Sequence, residues 1–227
     1  MTLLTSTEPT ASPRKTMEHE AVRRQVMLAV AKEMCESGRG RYVPTAISAR
    51  HVHLCGADME TLFGKGYALT KERDLVQPGQ YVCTEKVAFA GKKGRIAGIR
   101  VLGPLRRQTQ VELSLTDCYK AGVLPAIRMS GELKETPGGT LIGPMGEVTL
   151  TEGVIVAARH LHVSAAQAVL YGLKDGDAVN VKATGIRETI FSQVLVRAGE
   201  GHEMELHLDT DEANAAGLLC GGLVELI

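Results

Sequence analysis

The chain has no tryptophan, and only three phenylalanines and five tyrosines in 227 residues. A protein that stacks the bases of single-stranded nucleic acid needs aromatic platforms, so that class is disfavoured. An excess of one charge is missing too, because 26 basic and 26 acidic side chains cancel. No global field then steers the chain to nucleic acid or an anionic membrane. No apolar run approaches the roughly 20 residues of a membrane span. The cysteines (Cys35, Cys55, Cys83, Cys118, Cys220) are odd in number and form no Cys-x-x-Cys pair, which points to a reducing compartment. The opening MTLLTSTEPTASPRKT has neither the basic leader nor the apolar stretch of a secretory signal. The expectation is a cytoplasmic protein with neither nucleic acid nor membrane as partner. There is also no Walker loop, no Gly-x-Gly-x-x-Gly opening a helix and no Gly-x-Ser-x-Gly elbow.

What is present begins with a Ser/Thr/Pro-rich tail over residues 1–16, expected to be disordered. An amphipathic helix follows over about 18–36, with Val22, Val26, Ala29, Val30 and Met34 at helical spacing and Gly38 and Gly40 ending the pattern. Such a helix either packs on its own domain or docks its apolar stripe on a partner. GRGRYVP reads as a linker that completes an N-terminal segment, 1–42. Beyond it the texture is β-rich: YVCTEKVAFAG, RIAGIRVLGP, QVELSLT, EVTLTEGVIVAARHLHV, AVNVKATG, TIFSQVLV and MELHLDT read as strands, with short helices at GADMETLFG and SAAQAVLYG.

The chain nearly repeats itself. ARHVHLCGADMETLFG matches ARHLHVSAAQAVLYG, QPGQYVCTEKVAFAG resembles KDGDAVNVKATG, and VELSLTDCYKAG resembles MELHLDTDEANAAG. This predicts a mainly β protein of two pseudo-symmetric β-barrel domains with short helices, preceded by the N-terminal helix. The expected boundaries are 43–125 for the first barrel and 126–227 for the connecting segment and second barrel.

Four of the seven histidines fall in the repeated Ala-Arg-His-x-His. Alternation along a strand puts His51 and His53 on one face with Cys55 in phase, and His160 and His162 likewise, while Val52, Leu54, Leu161 and Val163 point the other way. Two imidazoles at i and i+2 chelate a transition metal. The same phase puts Glu112 and His207 on equivalent polar faces, two residues apart in register by the VEL/MEL match. His51, His53, Glu112, His160, His162 and His207 are too many ligands for one tetrahedral zinc and enough for two metals with open positions. Cys55 stays open as a ligand on spacing alone. His19, in the helix, is expected to be solvated, and His202, in a Gly-Glu-Gly-His turn, to lie at the surface. Arg106 and Arg107, after a Gly-Pro turn, form either a basic surface turn or an oxyanion clamp beside the metals.

Taken together, SARHVHL, QPGQY, VLGPLRRQTQVELS, RMSGELKETPG, GVIVAARHLHVS and MELHLDTDEANAAG resemble the phosphotransacylase of bacterial microcompartments, the PduL-type phosphate propanoyltransferase. The resemblance covers about residues 43–220 and extends loosely to the helix, which in that family is an encapsulation peptide. It implies the interconversion of acyl-CoA plus phosphate with acyl phosphate plus CoA, for propanoyl or acetyl groups. It implies a dinuclear centre, usually zinc, with His51, His53 and Glu112 on one metal and His160, His162 and His207 on the other. It further implies phosphate on Arg106, no ligand role for Cys55, and Ser48, Arg100, Ser130, Val154 and Asn214 along a CoA channel. The implied setting is the cytoplasm, inside a microcompartment, with shell or core proteins bound through the helix; an exposed helix also leads to the expectation of a homo-oligomer. A dinuclear metallohydrolase of esters or thioesters would share the ligands, and a non-catalytic metal-binding scaffold would share the helix.

Overall fold

The computed structural model describes residues 13–227, with side chains from residue 21 onward. The tail expected over 1–16 lies outside the described residues for 1–12. From there α1 (Pro13–Glu36) is already helical. Its two faces differ. Leu28, Ala31 and Cys35 turn toward the chain's own core, while Val22, Val26 and Val30 are 58%, 56% and 45% exposed. The helix therefore packs one side on its own domain and leaves a valine stripe exposed on the other. His19 carries no described side chain.

The first repeat runs β1 (Arg41–Ser48), β2 (His51–His53), α2 (Gly56–Phe63), β3 (Lys71–Asp74), β4 (Tyr81–Ala90), β5 (Arg95–Gly103), β6 (Gln110–Glu112), α3 (Leu115–Ala121). The connecting stretch forms β7 (Ile127–Arg128), β8 (Gly139–Ile142) and β9 (Glu147–Leu150). The second repeat is β10 (Val154–Ala157), β11 (His160–Val163), α4 (Ala165–Tyr171), β12 (Ala178–Ala183), β13 (Thr189–Ala198), β14 (Glu205–Asp209), α5 (Thr210–Ala216) and β15 (Leu223–Leu226). Two strand boundaries differ from the sequence reading. The expected linker is strand from Arg41, and the long strand expected over EVTLTEGVIVAARHLHV breaks into β9, β10 and β11.

Helices α3 and α5, absent from the sequence reading, cut short QVELSLT and follow MELHLDT. The Ser114 hydroxyl accepts from the Asp117 N–H, and Asp209 and Glu212 form a reciprocal capping box. Capping satisfies the first orphan N–H groups and stops the strand. Gly122 and Gly217 then end the helices in the left-handed region, at φ 73° and 66°.

The fold is mainly β: a closed barrel, β1-β14-β11-β13-β12-β15, and a curled open sheet, β7-β10-β6-β2-β5-β4-β8-β9 with β3 beside β4. The orders β1-β14-β11-β13-β12 and β10-β6-β2-β5-β4 correspond strand for strand, including which pairs are parallel. The repeats exchange their first strands. β1, from the first repeat, pairs in parallel with β14 of the second, and β10, from the second, pairs in parallel with β6 of the first. The sheets therefore do not divide at 125/126, and β7–β10 belong with the first repeat's strands. β15 closes the barrel by pairing with both β1 and β12. The other sheet instead adds β8–β9 beside β4 and β7 beside β10. Each core is completed by the exchange. Val154 and Val156 enter the core of the open sheet, and Val43 enters that of the barrel.

Candidate metal centre

Each exchanged strand crosses to the other sheet through two residues, Ala49–Arg50 and Ala158–Arg159, and the histidine pairs follow at once. The His-x-His segments are therefore held where the sheets meet. Alternation works as expected: Val52, Leu54, Leu161 and Val163 are fully buried in the cores, while both histidine pairs line one cavity of about 1150 Å³ between the sheets. The crossover also fixes the first imidazole of each pair. His51 Nδ1–H donates to the Ala49 carbonyl at 2.9 Å and His160 Nδ1–H to the Ala158 carbonyl at 2.8 Å. Nε2 of each is left as a lone pair facing the cavity.

The third member of each cluster comes from the neighbouring antiparallel strand. Glu112 stands opposite His51, and His207 opposite His160. The two-residue offset expected between Glu112 and His207 is thus absent. The caps Ser114 and Asp209 are the equivalent positions, and Gln110, not Glu112, corresponds to Glu205. The ligand atoms of His51, His53 and Glu112 lie within 4.8 Å of one another, as do those of His160, His162 and His207. Cys55 is in neither group; it sits at the N-cap of α2, its N–H donating to the Thr109 hydroxyl.

Electrostatics set the protonation state of both clusters. His51 feels burial, which lowers its pKa, but the Glu112 carboxylate outweighs that and leaves it raised. Glu112 is held well below the usual carboxylate range, since His51, His53 and Arg106 overcome its burial. His53 is pushed well below 6.5 by burial, then by His51 and Arg106. Burial and then the charge of neighbouring histidines bring His160 down to about 4 and His162 to about 2. Neutral imidazoles are what a metal requires. His160 and His162 bring Nε2 atoms within 3.1 Å of each other, with only one proton available between them. Nδ1 of His53 and of His162 is buried without a hydrogen-bond partner. An unpaired buried polar atom is costly, and a divalent cation held among these residues would take imidazole lone pairs that face the cavity, such as Nε2 of His51 and His160.

Arg106 is fixed by its backbone N–H on the Leu54 carbonyl at 2.8 Å. Its guanidinium donates to Ser130 Oγ and to His53 Nε2, each at 2.9 Å. Ser48, Arg100, Arg106 and Ser130 line the cavity. Val154 and Asn214 do not: Val154 is buried in the core of the open sheet, and Asn214 sits exposed on α5. His202, expected at the surface, instead packs its ring on His162 with centroids 4.5 Å apart and lines the cavity with Arg197. Nothing in a Gly-rich turn signals that approach. The cavity exceeds the roughly 300–1,000 Å³ of common small-molecule sites, so it has room for a long, cofactor-sized substrate. No described helix is long and apolar enough to cross a membrane.

The family model described as phosphate propanoyltransferase matches residues 44–219. A phosphate propanoyltransferase of Thermotoga maritima is 50% identical over 182 residues, covering 80% of this chain and 87% of that protein. One of Lachnoclostridium phytofermentans is 46% identical over 204 residues, 89% of this chain and 95% of its own. One of Rhodopseudomonas palustris is 47% identical over 173 residues, 76% of each.

Proposed function

Since the chain belongs to the phosphate propanoyltransferase family, an enzyme family of acyltransferases, we propose that it moves a propanoyl or acetyl group between CoA and phosphate at a dinuclear metal centre. The observation that carries this reading is that two three-residue donor clusters and the Arg106 guanidinium all face one cavity. His51, His53 and Glu112 would hold one divalent ion, and His160, His162 and His207 the other, with zinc favoured by ligand type. When bound, such ions supply Lewis acidity toward the thioester carbonyl and stabilise a thiolate.

The chain's own groups do the rest. Arg106 spends two N–H groups on Ser130 and His53, and its remaining donors can hold a phosphate oxygen facing the thioester. That oxygen attacks the carbonyl carbon, the C–S bond breaks, and CoA leaves as thiolate. Phosphate is already anionic, so no strong base is needed. Arginines at the cavity wall, Arg73 and Arg100 among them, suit the phosphates of CoA, and Ser48 and Ser130 add hydroxyls. Family membership does not favour the hydrolase reading.

The helix α1 lies outside the matched block 44–219. Its exposed valine stripe supports docking on microcompartment shell or core proteins, in the cytoplasm, and self-association into a homo-oligomer. The enzymatic reading is tested by thiol release from propanoyl- and acetyl-CoA, with and without phosphate, before and after metal stripping. Release that needs both phosphate and metal is expected. Release without phosphate would establish a hydrolase instead, and no release with metal retained would establish a scaffold.

A further inference from the structure

The strand exchange places Gln110 and Glu205 at equivalent positions, opposite the second histidine of each pair: His53 faces Gln110, and His162 faces Glu205. Each lies two residues before the third ligand of its cluster. Gln110 is fully buried, and its Nε2 donates to Glu112 Oε1 at 2.6 Å. Glu205 is buried too, and its Oε2 accepts from His207 Nε2 at 2.9 Å. The chemistry is inverted between the sites. Where the third ligand is a carboxylate, which only accepts, the partner is an amide N–H. Where it is an imidazole with a proton to give, the partner is a carboxylate.

Both partners are themselves pinned. The Gly131 N–H donates to Gln110 Oε1 at 2.8 Å, and Gln110 Nε2 also donates to Ser130 Oγ at 2.9 Å. The carbonyl end is thus committed to Gly131, and the NH₂ end must face Glu112. Gln77 reaches across from the turn between β3 and β4. Its Nε2 donates to the Glu203 carbonyl at 2.9 Å and to Glu205 Oε2 at 3.4 Å, while its Oε1 accepts from the Glu203 N–H at 3.3 Å. The open sheet therefore helps to aim the carboxylate that orients a ligand of the barrel.

We propose that Gln110 and Glu205 are positioning residues, each fixing the orientation of one third ligand and leaving the remaining lone pairs of the Glu112 carboxylate, or His207 Nδ1, for the metal. A carboxylate on the far nitrogen sets the tautomer of a ligating histidine and strengthens it as a donor, and losing such a partner typically weakens metal binding about 10–100-fold. The inference rests on the dinuclear reading above.

The test loads the intact chain with zinc and counts metal retained per chain against rising chelator, with thermal melting of the metal-free protein as a control. Glu205→Ala should release one of two metals at about 10–100-fold lower chelator. Glu205→Gln should fall between it and wild type, because an amide oxygen still accepts from His207. Gln110→Ala should do the same at the other site. Glu112→His alone should lose one metal, and Gln110→Glu added to it should restore retention by copying the barrel's arrangement. If Glu205→Ala does not fold, the isosteric Glu205→Gln carries the test. Wild-type chelator resistance in these variants, or losses matched by equal losses of metal-free stability, would overturn the proposal while leaving the dinuclear reading standing. A wild-type chain holding fewer than two metals would overturn both.

Discussion

Glu112 faces His51 across β2 and β6 in the same register in which His207 faces His160 across β11 and β14. The two clusters are thus one local design used twice, with a carboxylate in one copy where the other has an imidazole. They are also within electrostatic reach, since the Glu112 charge raises the pKa of His160 against the lowering effect of burial.

The ligand assignment is checked by removing one imidazole. His160→Ala should leave about one metal per chain instead of two, and cost turnover at least about 100-fold, since a lost ligand should cost no less than the loss of a group that merely supports one. Its neighbours His162 and His207 stay in place, with ring centroids 4.9 Å apart, so the chain should fold. Metal analysis of the purified variant decides; two metals still bound would remove His160 from the ligand set.

Arg106→Lys keeps the charge and loses the planar fork. An ammonium cannot reproduce the simultaneous contacts to Ser130 and His53 while also holding phosphate. The expected result is a fall of about 100–1,000-fold in kcat/KM for phosphate, with KM for the acyl-CoA little changed. Steady-state kinetics in both substrates separates the two; unchanged phosphate kinetics would rule out the clamp.

Much of this site was legible because strand alternation is rigid. A period of two places His51 with His53, and His160 with His162, without further information, and the same phase selects Glu112 and His207. The register was not legible from VEL against MEL, because that match is driven by apolar and acidic letters. The caps Ser114 and Asp209 carry the true correspondence, and a cap becomes a register mark only once its helix is recognised. The strand exchange was not legible at all. Short apolar segments such as VIVA pair equally well with either sheet, and only the two-residue crossover decides. Val154 and Asn214, named by resemblance for the channel, lie off this cavity, because resemblance names a position but not the direction of its side chain.

Metal-free stability should fall on acidification below neutrality. His160, at about 4, and His162, at about 2, stay neutral in the folded chain, and His53 is lowered as well. In the unfolded chain all three titrate near 6.5. Below that pH the unfolded state binds more protons, so stability drops as pH falls from about 6.5 toward 4. His51 opposes this: its raised pKa adds stability below 6.5, lost as pH climbs through the folded value. His202 is lowered too, so four lowered histidines outweigh one raised, and the net loss should be on the order of a few kcal/mol. Thermal melts of chelator-treated protein at pH 7 and pH 5 measure it; equal midpoints would contradict the neutral-imidazole picture.

The exposed face of α1 can be altered without touching the docked one. Val22→Glu together with Val26→Glu should abolish co-assembly with compartment proteins and leave thiol release intact, because Leu28, Ala31 and Cys35 still pack on the barrel. Charged groups on an apolar docking stripe remain unpaired when buried. Continued co-sedimentation with compartments would show that another surface does the docking.

The reciprocal exchange makes a prediction about folding units. Two repeats of this kind invite division at 125/126, yet neither half then holds a complete core. The piece ending at 125 keeps β1 but lacks β10, so the β6 edge loses its parallel partner and the core loses Val154 and Val156. The piece beginning at 126 lacks β1, so β14 and β15 both lose a neighbour, the barrel opens, and Val43 is gone from its core. Open edges of this kind pair with other chains or stay unfolded. Expressed separately, the halves should be unfolded or aggregated by circular dichroism and gel filtration. Co-expressed, they should recover one complex, because each supplies the strand the other needs. The uncut chain should then melt in a single transition. A half that folds alone with a sharp melt would mean that the exchanged strands decorate two self-sufficient domains, and the metal site would then lie at an interface free to open.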